Sequence, residues 1–448
     1  MVGKKLFIFE FITGGGFHRE EIPSSLFSEG FSMLRSIIED FKSLNFHIST
    51  LLDERISFLA EYLKADTVQI LQKHENFKKI YTTQVKDCQY CFIIGPEFSN
   101  VLFDLTRVAK SQHKKILSVG MEGIQLGSSK MKTYQFFKRH QINTPATYLI
   151  PPMQDTIDQN FILDKFEEFN GSCIIKPEDG VGADYTFLFE EKSELIHFCK
   201  NFPGEEYSNR RFIIQNYIKG KPLSISVISA PFDESSQNFP LILSINSQSL
   251  SLDASTHQFT YSGGFTPPPL LDMDYPELFE IIRTELKKMP LNEIRGYFGI
   301  DFILEGEGQI YFIELNPRLT TPYVGLRKIL DCNLAQLILD AYKGILQGNF
   351  RKLNGFCSYS KLEVQYVGKN DGDILEGQLI PETLMNIPEL ITPLISLRAS
   401  SDSAKESKRY AGFLAIASAS YDLLNSRIAE ITRYLEEKGF KVLSFKRP

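Results

Sequence analysis

Oxygen-bearing side chains alternate near the end of an apolar segment in the second half of the chain. Glu314 and Asn316 lie two positions apart, and Asp301 lies in the apolar segment before them. Because side chains alternate along a strand, Glu314 and Asn316 should point to one face, which Asp301 can join from a neighbouring strand. Three such donors suit Mg²⁺, a hard cation that is usually shared with phosphates. The spacing predicts a metal site of Asp301, Glu314 and Asn316; the alternative is a solvated polar face on a hairpin.

Arg318 continues the same alternation, two positions after Asn316 and directly after Pro317. If the strand geometry persists through the proline, its side chain points to the same face as the acidic cluster. The planar guanidinium fork matches the oxygens of a phosphoryl group in transfer. We therefore predict that Arg318 is the catalytic residue of this cluster.

Two lysines earlier in the chain could hold phosphate oxygens. Lys176 ends a predicted buried strand, and the turn after it contains Gly180 and Gly182. The backbone N–H groups of such a turn can approach an anion closely. Lys130 precedes a predicted helix and could add a second positive charge. The pattern predicts a phosphate site; the alternatives are a surface hairpin with a glycine turn and an exposed helix lysine.

Two further segments could contact a ligand through the backbone. Gln215, Tyr217 and Ile218 lie at the end of a predicted strand, before the bend at Gly220, where backbone groups can meet an adenine edge. The run 14–16 is three glycines, Gly14, Gly15 and Gly16, and follows the first predicted strand. Open parallel sheets bind ligands at that end of their strands. A plain strand end and a structural tight turn are the respective alternatives.

The first part of the chain must position these groups with a parallel sheet. Apolar strand-like segments alternate there with helical ones, which favours a sheet covered by helices on both faces. The predicted helices span residues 29–44, 98–109 and 128–140. The predicted strands span residues 6–11, 47–52, 91–94 and 116–119.

The middle of the chain carries closely spaced strands, which favour the hairpins of an α+β unit. Residues 299–304 and 309–315 form a predicted hairpin that carries the acidic cluster, and residues 324–346 predict one long helix. The predicted domains are 1–122, 123–348 with lobes 123–210 and 211–348, and a C-terminal α+β domain, 349–448.

The composition excludes several classes of protein. Of the 448 residues, 43% are hydrophobic and 23% are charged, and the net charge is −6. These values are typical of a globular protein, without general attraction to nucleic acid or anionic lipid. No apolar run reaches the ~20 residues that span a bilayer, and six cysteines are too few for a disulfide framework. We expect a cytoplasmic protein without nucleic-acid or membrane partners.

Taken together, these motifs resemble the ATP-grasp superfamily over residues 1 to about 345. The run from Glu314 to Arg318 resembles its E-x-N-x-R metal element, and Asp301 resembles its acidic metal ligand one strand earlier. Lys130 and Lys176 resemble its two nucleotide lysines, and residues 215–218 its adenine hinge. The resemblance implies an N-terminal parallel-sheet (pre-ATP-grasp) domain, a two-lobed ATP-grasp unit and a small C-terminal α+β domain. Lys221 stands where the family often carries an acidic residue for the ribose hydroxyls.

Three segments are also similar to ligases of the tyramine–glutamate type, which act in methanofuran biosynthesis: residues 9–16, 261–264 and 316–326. This resemblance implies an ATP-dependent carboxylate–amine ligase with an acyl-phosphate intermediate. It implies ATP and two Mg²⁺ ions, with Mn²⁺ as an alternative, small-molecule carboxylate and amine substrates, and a homodimer. Gly14, Gly15, Gly16, Gly263 and Gly264 are its candidate substrate contacts. The alternatives are an ATP-grasp small-molecule kinase and a nucleotide-binding module without turnover.

Overall fold

The computed structural model describes most of the chain: residues 3–153, 156–202, 210–230, 240–269, 273–291, 294–306, 308–346, 352–367, 387–397 and 409–444. Within these ranges, no helix is both long and apolar enough to cross a membrane. All six cysteines fall inside them, and no disulfide joins any of the six.

A five-stranded parallel sheet forms the N-terminal region, as the alternating pattern predicts. Its central strand is apolar on both faces because helices cover both, and Leu6 to Phe9 are fully buried. The strands, in the spatial order 3-2-1-4-5, are β1 (Lys5–Glu10), β2 (His47–Asp53), β3 (Thr67–Leu71), β4 (Tyr90–Ile94) and β5 (Lys115–Ile116). The helices are α1 (Ser24–Lys42), α2 (Phe77–Asp87), α3 (Val101–Ser111), α4 (Met121–Gly127) and α5 (Lys130–Arg139), with 3₁₀ helices at Glu54–Tyr62 and Phe98–Asn100.

Two strands of this sheet differ from the sequence prediction. The edge strand β3 was not predicted, because its residues are mostly half-exposed and lack the apolar run of a buried strand. The predicted strand 116–119 is shorter: only Lys115–Ile116 pair with β4. After Leu117 donates to the Cys91 carbonyl (2.8 Å), the chain leaves the sheet, and Ser118 and Val119 lie against Gly296.

A four-stranded antiparallel sheet follows and packs on two helices. Its spatial order is β10-β9-β11-β6, and a small ribbon, β7 with β8, precedes its first helix. The elements are β6 (Thr147–Leu149), β7 (Pro152–Met153), β8 (Thr156–Ile157), α6 (Gln159–Glu168), β9 (Cys173–Pro177), β10 (Phe187–Phe189), α7 (Lys192–Lys200) and β11 (Phe212–Asn216).

A second antiparallel sheet, of order β13-β12-β17-β18, lies across a short connection from the first. Residues 217–220 make that connection, from β11 to β12. The elements of this region are β12 (Lys221–Ser229), β13 (Leu241–Ser247), β14 (Leu250–Leu252), β15 (Phe259–Tyr261), β16 (Gly263–Thr266), α8 (Tyr275–Leu286), β17 (Gly296–Leu304) and β18 (Ile310–Asn316).

The predicted long helix 324–346 is wrong, because two helices occupy this stretch: α9 (Pro322–Ile329) and α10 (Leu334–Lys343). Leu330 takes an extended conformation (φ −74°, ψ 143°), which ends the first helix. The side chain of Asn333 then caps the second, accepting hydrogen bonds from the backbone N–H groups of Ala335 and Gln336. The apolar spacing continues across the break and conceals it.

The C-terminal part forms a third antiparallel sheet, which also takes in β16 from the middle of the chain. Its spatial order is β16-β19-β21-β20, and β22 pairs with β19. Thr392 donates to the Ser28 carbonyl of α1 (2.6 Å), so this sheet packs on the N-terminal region as well. The predicted boundary at 348 falls outside the described ranges. The elements are β19 (Phe356–Tyr366), β20 (Leu390–Leu397), β21 (Arg409–Ser418), α11 (Tyr421–Glu437) and β22 (Phe440–Ser444).

Candidate active site

The sheets β10-β9-β11-β6 and β13-β12-β17-β18 are the two middle sheets of the molecule. A cavity of about 660 Å³ lies between them and the carboxyl ends of β1 and β4. Its walls include every predicted metal, nucleotide and catalytic residue, although these are spread over nearly two hundred positions of sequence. They are Lys130, Lys176, Gly180, Gly182, Gln215, Tyr217, Ile218, Asp301, Glu314, Asn316 and Arg318.

The hairpin of β17 and β18 places the acidic cluster on the cavity wall. Asp301 pairs directly with Glu314 in the antiparallel register, and an irregularity follows Asp301 on the side of Phe302. Asn316 donates from Nδ2 to Asp301 Oδ2 at 3.1 Å, which leaves its carbonyl oxygen as the remaining donor atom for a cation. Two carboxylates and an amide therefore lie on one face of this hairpin, as the alternation of side chains predicts.

Burial and mutual repulsion set the ionisation of the two acids. Burial, together with the neighbouring Glu314 carboxylate, raises the pKa of Asp301 to about 7, against hydrogen bonds from Asn316 and Gln248. Burial also opposes ionisation of Glu314, but the ammonium groups of Lys130 and Lys176 outweigh it and hold the pKa of Glu314 below its ordinary value. The surroundings therefore support the charge of Glu314 and disfavour that of Asp301, which a bound cation would favour.

The two predicted nucleotide lysines converge on Glu314. Lys130 Nζ lies 3.5 Å and Lys176 Nζ 3.6 Å from Glu314 Oε2, and the three side chains are at most 19% exposed. Phe137 of α5 packs on Phe312 of β18, which holds the first turn of α5, and so Lys130, beside the acidic strand. Lys176 is buried at the end of β9, and this burial lowers its pKa despite the nearby Glu314 carboxylate.

The glycine turn after Lys176 is anchored where it begins, at Asp179 and Gly180. Gly180 and Gly182 have φ angles of 147° and 68°, values that favour glycine. Lys130 Nζ donates to the Gly180 carbonyl at 3.3 Å. Asp179 accepts a hydrogen bond from the backbone N–H of Ser99, which ties the turn to the N-terminal region. Since an added Cβ at Gly182 would meet nothing within 4 Å, this part of the turn borders open space.

The connection between the two middle sheets forms another part of the wall. Gln215 lies at the end of β11, where its Nε2 donates to the hydroxyl of Thr147 at 2.8 Å. Tyr217 and Ile218 follow in the connecting segment and line the cavity. Burial raises the pKa of the Tyr217 phenol. The segment that joins the sheets therefore also borders the site, as an adenine hinge would.

Arg318 links the cavity to the N-terminal sheet. Its Nε lies 3.0 Å from Oε1 and 3.2 Å from Oε2 of Glu97, a buried residue that follows β4. Its Nη1 donates to the carbonyl of Leu319 at 3.1 Å. Burial opposes the charge on Arg318, but the Glu97 carboxylate outweighs it and raises the pKa of the guanidinium. This arginine is held as a cation at the cavity wall.

The five glycines predicted as substrate contacts do not line the cavity. Gly14 and Gly16 donate their backbone N–H groups to the carbonyls of Glu10 and Phe11, and so form a tight turn. Gly263 and Gly264 lie in β16, against β19, where an added Cβ would come within about 2 Å of backbone oxygens. The neighbouring Tyr261 does reach the cavity. Close packing accounts for these glycines in the structure.

Sequence reasoning missed several polar residues of the wall. Glu29 of α1 and Lys361 of β19 form an ion pair of 2.7 Å there, and Gln248 lies beside Asp301. Glu97 contacts the cavity wall indirectly, because it forms an ion pair with Arg318. None of them belongs to a motif with recognisable spacing, so only their positions in the folded chain reveal them.

The acidic cluster fits Mg²⁺ better than a metal held by protein alone. In the described ranges, no group of three or more histidine, cysteine or acidic side chains is placed to hold a metal ion. Asp301, Glu314 and Asn316 instead offer two carboxylates and an amide oxygen, next to two lysines suited to phosphate. Magnesium is usually bound in this way, by one or two carboxylates with phosphates and water completing its shell.

The fold and the site define the class of protein. Residues 127–322 match the family model described as the ATP-grasp domain, and residues 46–124 match that of the pre ATP-grasp 3 domain. The chain therefore contains an ATP-grasp domain preceded by a pre-ATP-grasp domain. The fold class predicted from the sequence and the predicted likeness to ATP-grasp ligases are both confirmed.

Individual proteins of known name are similar to most of this chain. The tyramine–L-glutamate ligase of Methanocaldococcus jannaschii is 24% identical over 341 residues, which cover 76% of this chain and 89% of that enzyme. Among solved structures, one similar chain is the biotin carboxylase domain of Hydrogenobacter thermophilus 2-oxoglutarate carboxylase, solved as a dimer with MgADP and bicarbonate. It has a TM-score of 0.68 at 13% sequence identity, and the match covers 100% of this chain and 92% of that chain. The L-amino acid ligase of Bacillus licheniformis has a TM-score of 0.61 at 12% identity and covers both chains fully. Named homologues are ATP-grasp ligases that form carbon–nitrogen bonds, which confirms the predicted enzyme class.

Proposed function

We propose that the protein is an ATP-dependent ligase that joins a carboxylate to an amine through an acyl phosphate. The observation that carries this proposal is the convergence of Lys130, Lys176, Asp301, Glu314 and Arg318 on one cavity. Positive groups for phosphates, acidic groups for a cation and a fixed guanidinium occur together there. The likeness to ligases of the ATP-grasp family supports the same reaction class.

In this proposal, ATP lies across the connection between the two middle sheets. The backbone of residues 215–218 meets the adenine edge, and Tyr217 borders it. Lys176 and Lys130 donate to phosphate oxygens, with the N–H groups of the turn at Gly180 and Gly182 close by. The ribose contact falls to polar groups other than the usual acid, because Lys221 occupies that position; Ser224 and Gln248 line the cavity nearby.

Asp301, Glu314 and Asn316 are the residues that would hold Mg²⁺, and we propose two ions, with Mn²⁺ as an alternative. Bound with the nucleotide, the cation would neutralise the charge of the transferring phosphates. The two carboxylates then have a partner for charge that burial otherwise disfavours. The lysines that hold Glu314 ionised would turn toward the phosphate oxygens.

The reaction runs in two transfers. A carboxylate oxygen of the first substrate attacks the γ-phosphorus, the bond from that phosphorus to the β–γ bridging oxygen breaks, and ADP leaves. The nitrogen of an amine then attacks the acyl carbon, the bond from that carbon to the phosphate oxygen breaks, and the nitrogen loses a proton. Arg318, held as a cation by Glu97, stabilises the charge on the migrating phosphoryl group and the tetrahedral centre.

An acyl phosphate must be kept from water. The turn of residues 180–183 borders open space at Gly182, so it is placed to fold over bound phosphates. Its anchor at Asp179, on Ser99, keeps the base of the turn in position. We propose that closure of this turn excludes water during transfer.

The substrates we propose are glutamate and tyramine or a related amine, as in methanofuran-type cofactor biosynthesis. The support is the extent of the match to a relative named for those substrates, over 89% of that enzyme. We also propose a homodimer in the cytoplasm, where ATP is available and the thiols of this chain stay reduced.

The test is a screen of amino acids against amines, with ADP and phosphate release and product mass as readouts. The proposal predicts an amide, with one ADP and one phosphate formed per amide. A stable phosphoester without free phosphate would instead identify a small-molecule kinase. Bound nucleotide without ADP release, with every substrate pair, would identify a binding module and contradict the proposal.

A further inference from the structure

The C-terminal sheet contributes a lysine to the wall of the cavity. Along β19, Cys357 and Tyr359 pack into the apolar core that includes the N-terminal sheet, whereas Leu362 and Val364 pack into a separate core against α11. Lys361 has the parity of Tyr359, and the register with β21 is continuous between them. Its side chain therefore emerges on the face toward α1 and lines the cavity.

Glu29 of α1 meets Lys361 at the cavity. Lys361 Nζ lies 2.7 Å from Glu29 Oε1, and each side chain is 13% exposed. Thr321, three residues after Arg318, donates from its hydroxyl to Glu29 Oε2 at 2.6 Å. Glu29 is also close enough to Arg318 to favour the charge of the guanidinium. The ion pair thus lies beside the group that faces the transferring phosphoryl.

Folding alone gives little reason for this ion pair. Removing two charges from water costs several kcal/mol per ion, and well-packed apolar side chains often stabilise such a position as well or better. Asp184, at the end of the glycine turn, adds a second carboxylate whose charge Lys361 favours and Glu29 disfavours. Glu29 and Asp184 thus lie among cations, Lys361, Arg210 and Arg318, and a wall that carries both signs of charge suits a ligand with both a positive and a negative group.

We propose that Lys361 and Glu29 form a binding subsite for the zwitterion of an α-amino acid, the carboxylate on Lys361 and the ammonium on Glu29. This inference rests on the proposed function, and it identifies which part of the cavity selects the substrate class. Lys361 lies on β19, outside the matched residues 127–322, so the C-terminal part of the chain then has a direct part in substrate recognition.

The subsite works by exchange of partners. In the free protein, the ammonium of Lys361 and the carboxylate of Glu29 satisfy each other. An entering amino acid offers each of them a new charge-assisted hydrogen bond, while Thr321 keeps one oxygen of Glu29 in place. A carboxylic acid without an ammonium group would pair with Lys361 and leave the Glu29 carboxylate without a counter-charge. An amine without a carboxylate would pair with Glu29 and leave Lys361 without one. The subsite therefore discriminates between amino acids and their simpler analogues.

The test compares three substrates on two variants, with ATP and amine held saturating. L-Glutamate carries both α groups, glutarate lacks the α-ammonium, and 4-aminobutyrate lacks the α-carboxylate. Glu29→Gln should lower kcat/KM for L-glutamate about tenfold to a hundredfold, the effect of losing a charged hydrogen bond, and leave glutarate within about threefold. Lys361→Met should lower kcat/KM for L-glutamate by a similar factor and leave kcat/KM for 4-aminobutyrate nearly unchanged.

Three controls separate recognition from folding. The KM for ATP should change less than about twofold in both variants, because neither residue is placed at the nucleotide end. Lys42→Met removes a lysine from another ion pair, with Asp66, outside the cavity, and should leave all three substrates unchanged. The double variant Glu29→Gln with Lys361→Met removes both charges of this ion pair, so it should fold even if a single variant does not.

The outcomes also separate this inference from the proposed function. Equal losses with all three substrates, or a folded double variant that uses L-glutamate as well as the native protein, would overturn the subsite while ligation stands. If no amino acid supports turnover, the proposed function fails. Calorimetric binding of L-glutamate in the presence of ADP, lost in Lys361→Met, would then still support the subsite, and binding unaffected by that change would contradict it.

Discussion

Glu314 is the residue on which the charges of the site balance. It lies within 3.6 Å of two lysines from different elements and pairs in the ladder with a second acid, Asp301. The lysines hold it ionised, while burial and Glu314 together keep Asp301 partly protonated near neutral pH. A cation bridging the acids and a phosphate bridging the lysines would satisfy all four groups at once.

Replacing Glu314 by Ala should abolish ATP turnover and preserve the fold. The change removes one proposed cation ligand and leaves the two lysines without their common partner. We expect kcat to fall by at least ~10²-fold, the usual loss when one stabilising group of a transition state is removed. ADP release measures the loss, and far-ultraviolet circular dichroism checks the fold.

The matched control for that change is Glu305→Gln, on the same hairpin but outside the cavity, which should retain full activity. Full turnover in the Glu314→Ala variant would remove the case for a cation site on this hairpin.

At the scale of elements, α1 and α9 form the main brace of the site. Asp40 of α1 accepts hydrogen bonds from the Tyr323 hydroxyl (2.6 Å) and from Arg327 Nη2 (2.6 Å), both on α9. Glu39 also lies 3.2 Å from Arg327. The segment from Asn316 to Thr321, which carries Arg318, runs directly into α9. The brace therefore fixes the position of this segment against the N-terminal region.

Asp40→Ala should destabilise the protein by about 3 kcal/mol, because it leaves a mostly buried arginine short of its closest partner. Urea unfolding can be followed by far-ultraviolet circular dichroism, since the chain has no tryptophan for a fluorescence measurement. As a control, Asp104→Ala removes an exposed ion pair with Arg107 and should cost less than about 1 kcal/mol. Equal unfolding midpoints for the two variants would show that the brace contributes nothing.

The local pattern of the sequence predicts much of these elements and part of the site. Strict alternation places Glu314 and Asn316 on one face, and the buried run before Lys176 predicts its strand. The break at residues 330–333 was missed, because the capping role of Asn333 depends on a chain direction that apolar spacing does not encode. The edge strand at 67–71 was missed because an edge strand needs no apolar run.

At the scale of the whole molecule, the cavity joins parts of the chain that are far apart in sequence. Glu97 and Arg318 are 221 positions apart, and Glu29 meets a lysine of the C-terminal sheet. Such pairs depend on how whole sheets pack, and nothing in the spacing of either residue indicates the other. This is why the local pattern predicts Lys176, Glu314 and Asn316 as candidate site residues and misses wall residues such as Glu29 and Lys361.

Glu97→Gln tests whether the N-terminal sheet positions Arg318. The guanidinium would lose its buried counter-charge and its fixed orientation, so we expect kcat to fall about tenfold or more, with the KM for ATP nearly unchanged. Glu97→Asp should recover part of the loss because it retains the charge. Steady-state kinetics with varied ATP separate the two parameters.

The control for Glu97 is Glu122→Gln, an exposed acid paired with Lys110, which should behave as the native protein does. A change confined to the KM for ATP, with kcat intact, would contradict a positioning role for Glu97.

The most direct measurement is a crystal structure of the full chain with Mg²⁺ and a non-hydrolysable ATP analogue. We expect metal–oxygen distances of about 2.0–2.1 Å to Asp301 and Glu314, with Lys130 and Lys176 on the phosphates. A nucleotide bound elsewhere, or bound here with its metal ions away from both carboxylates, would contradict it.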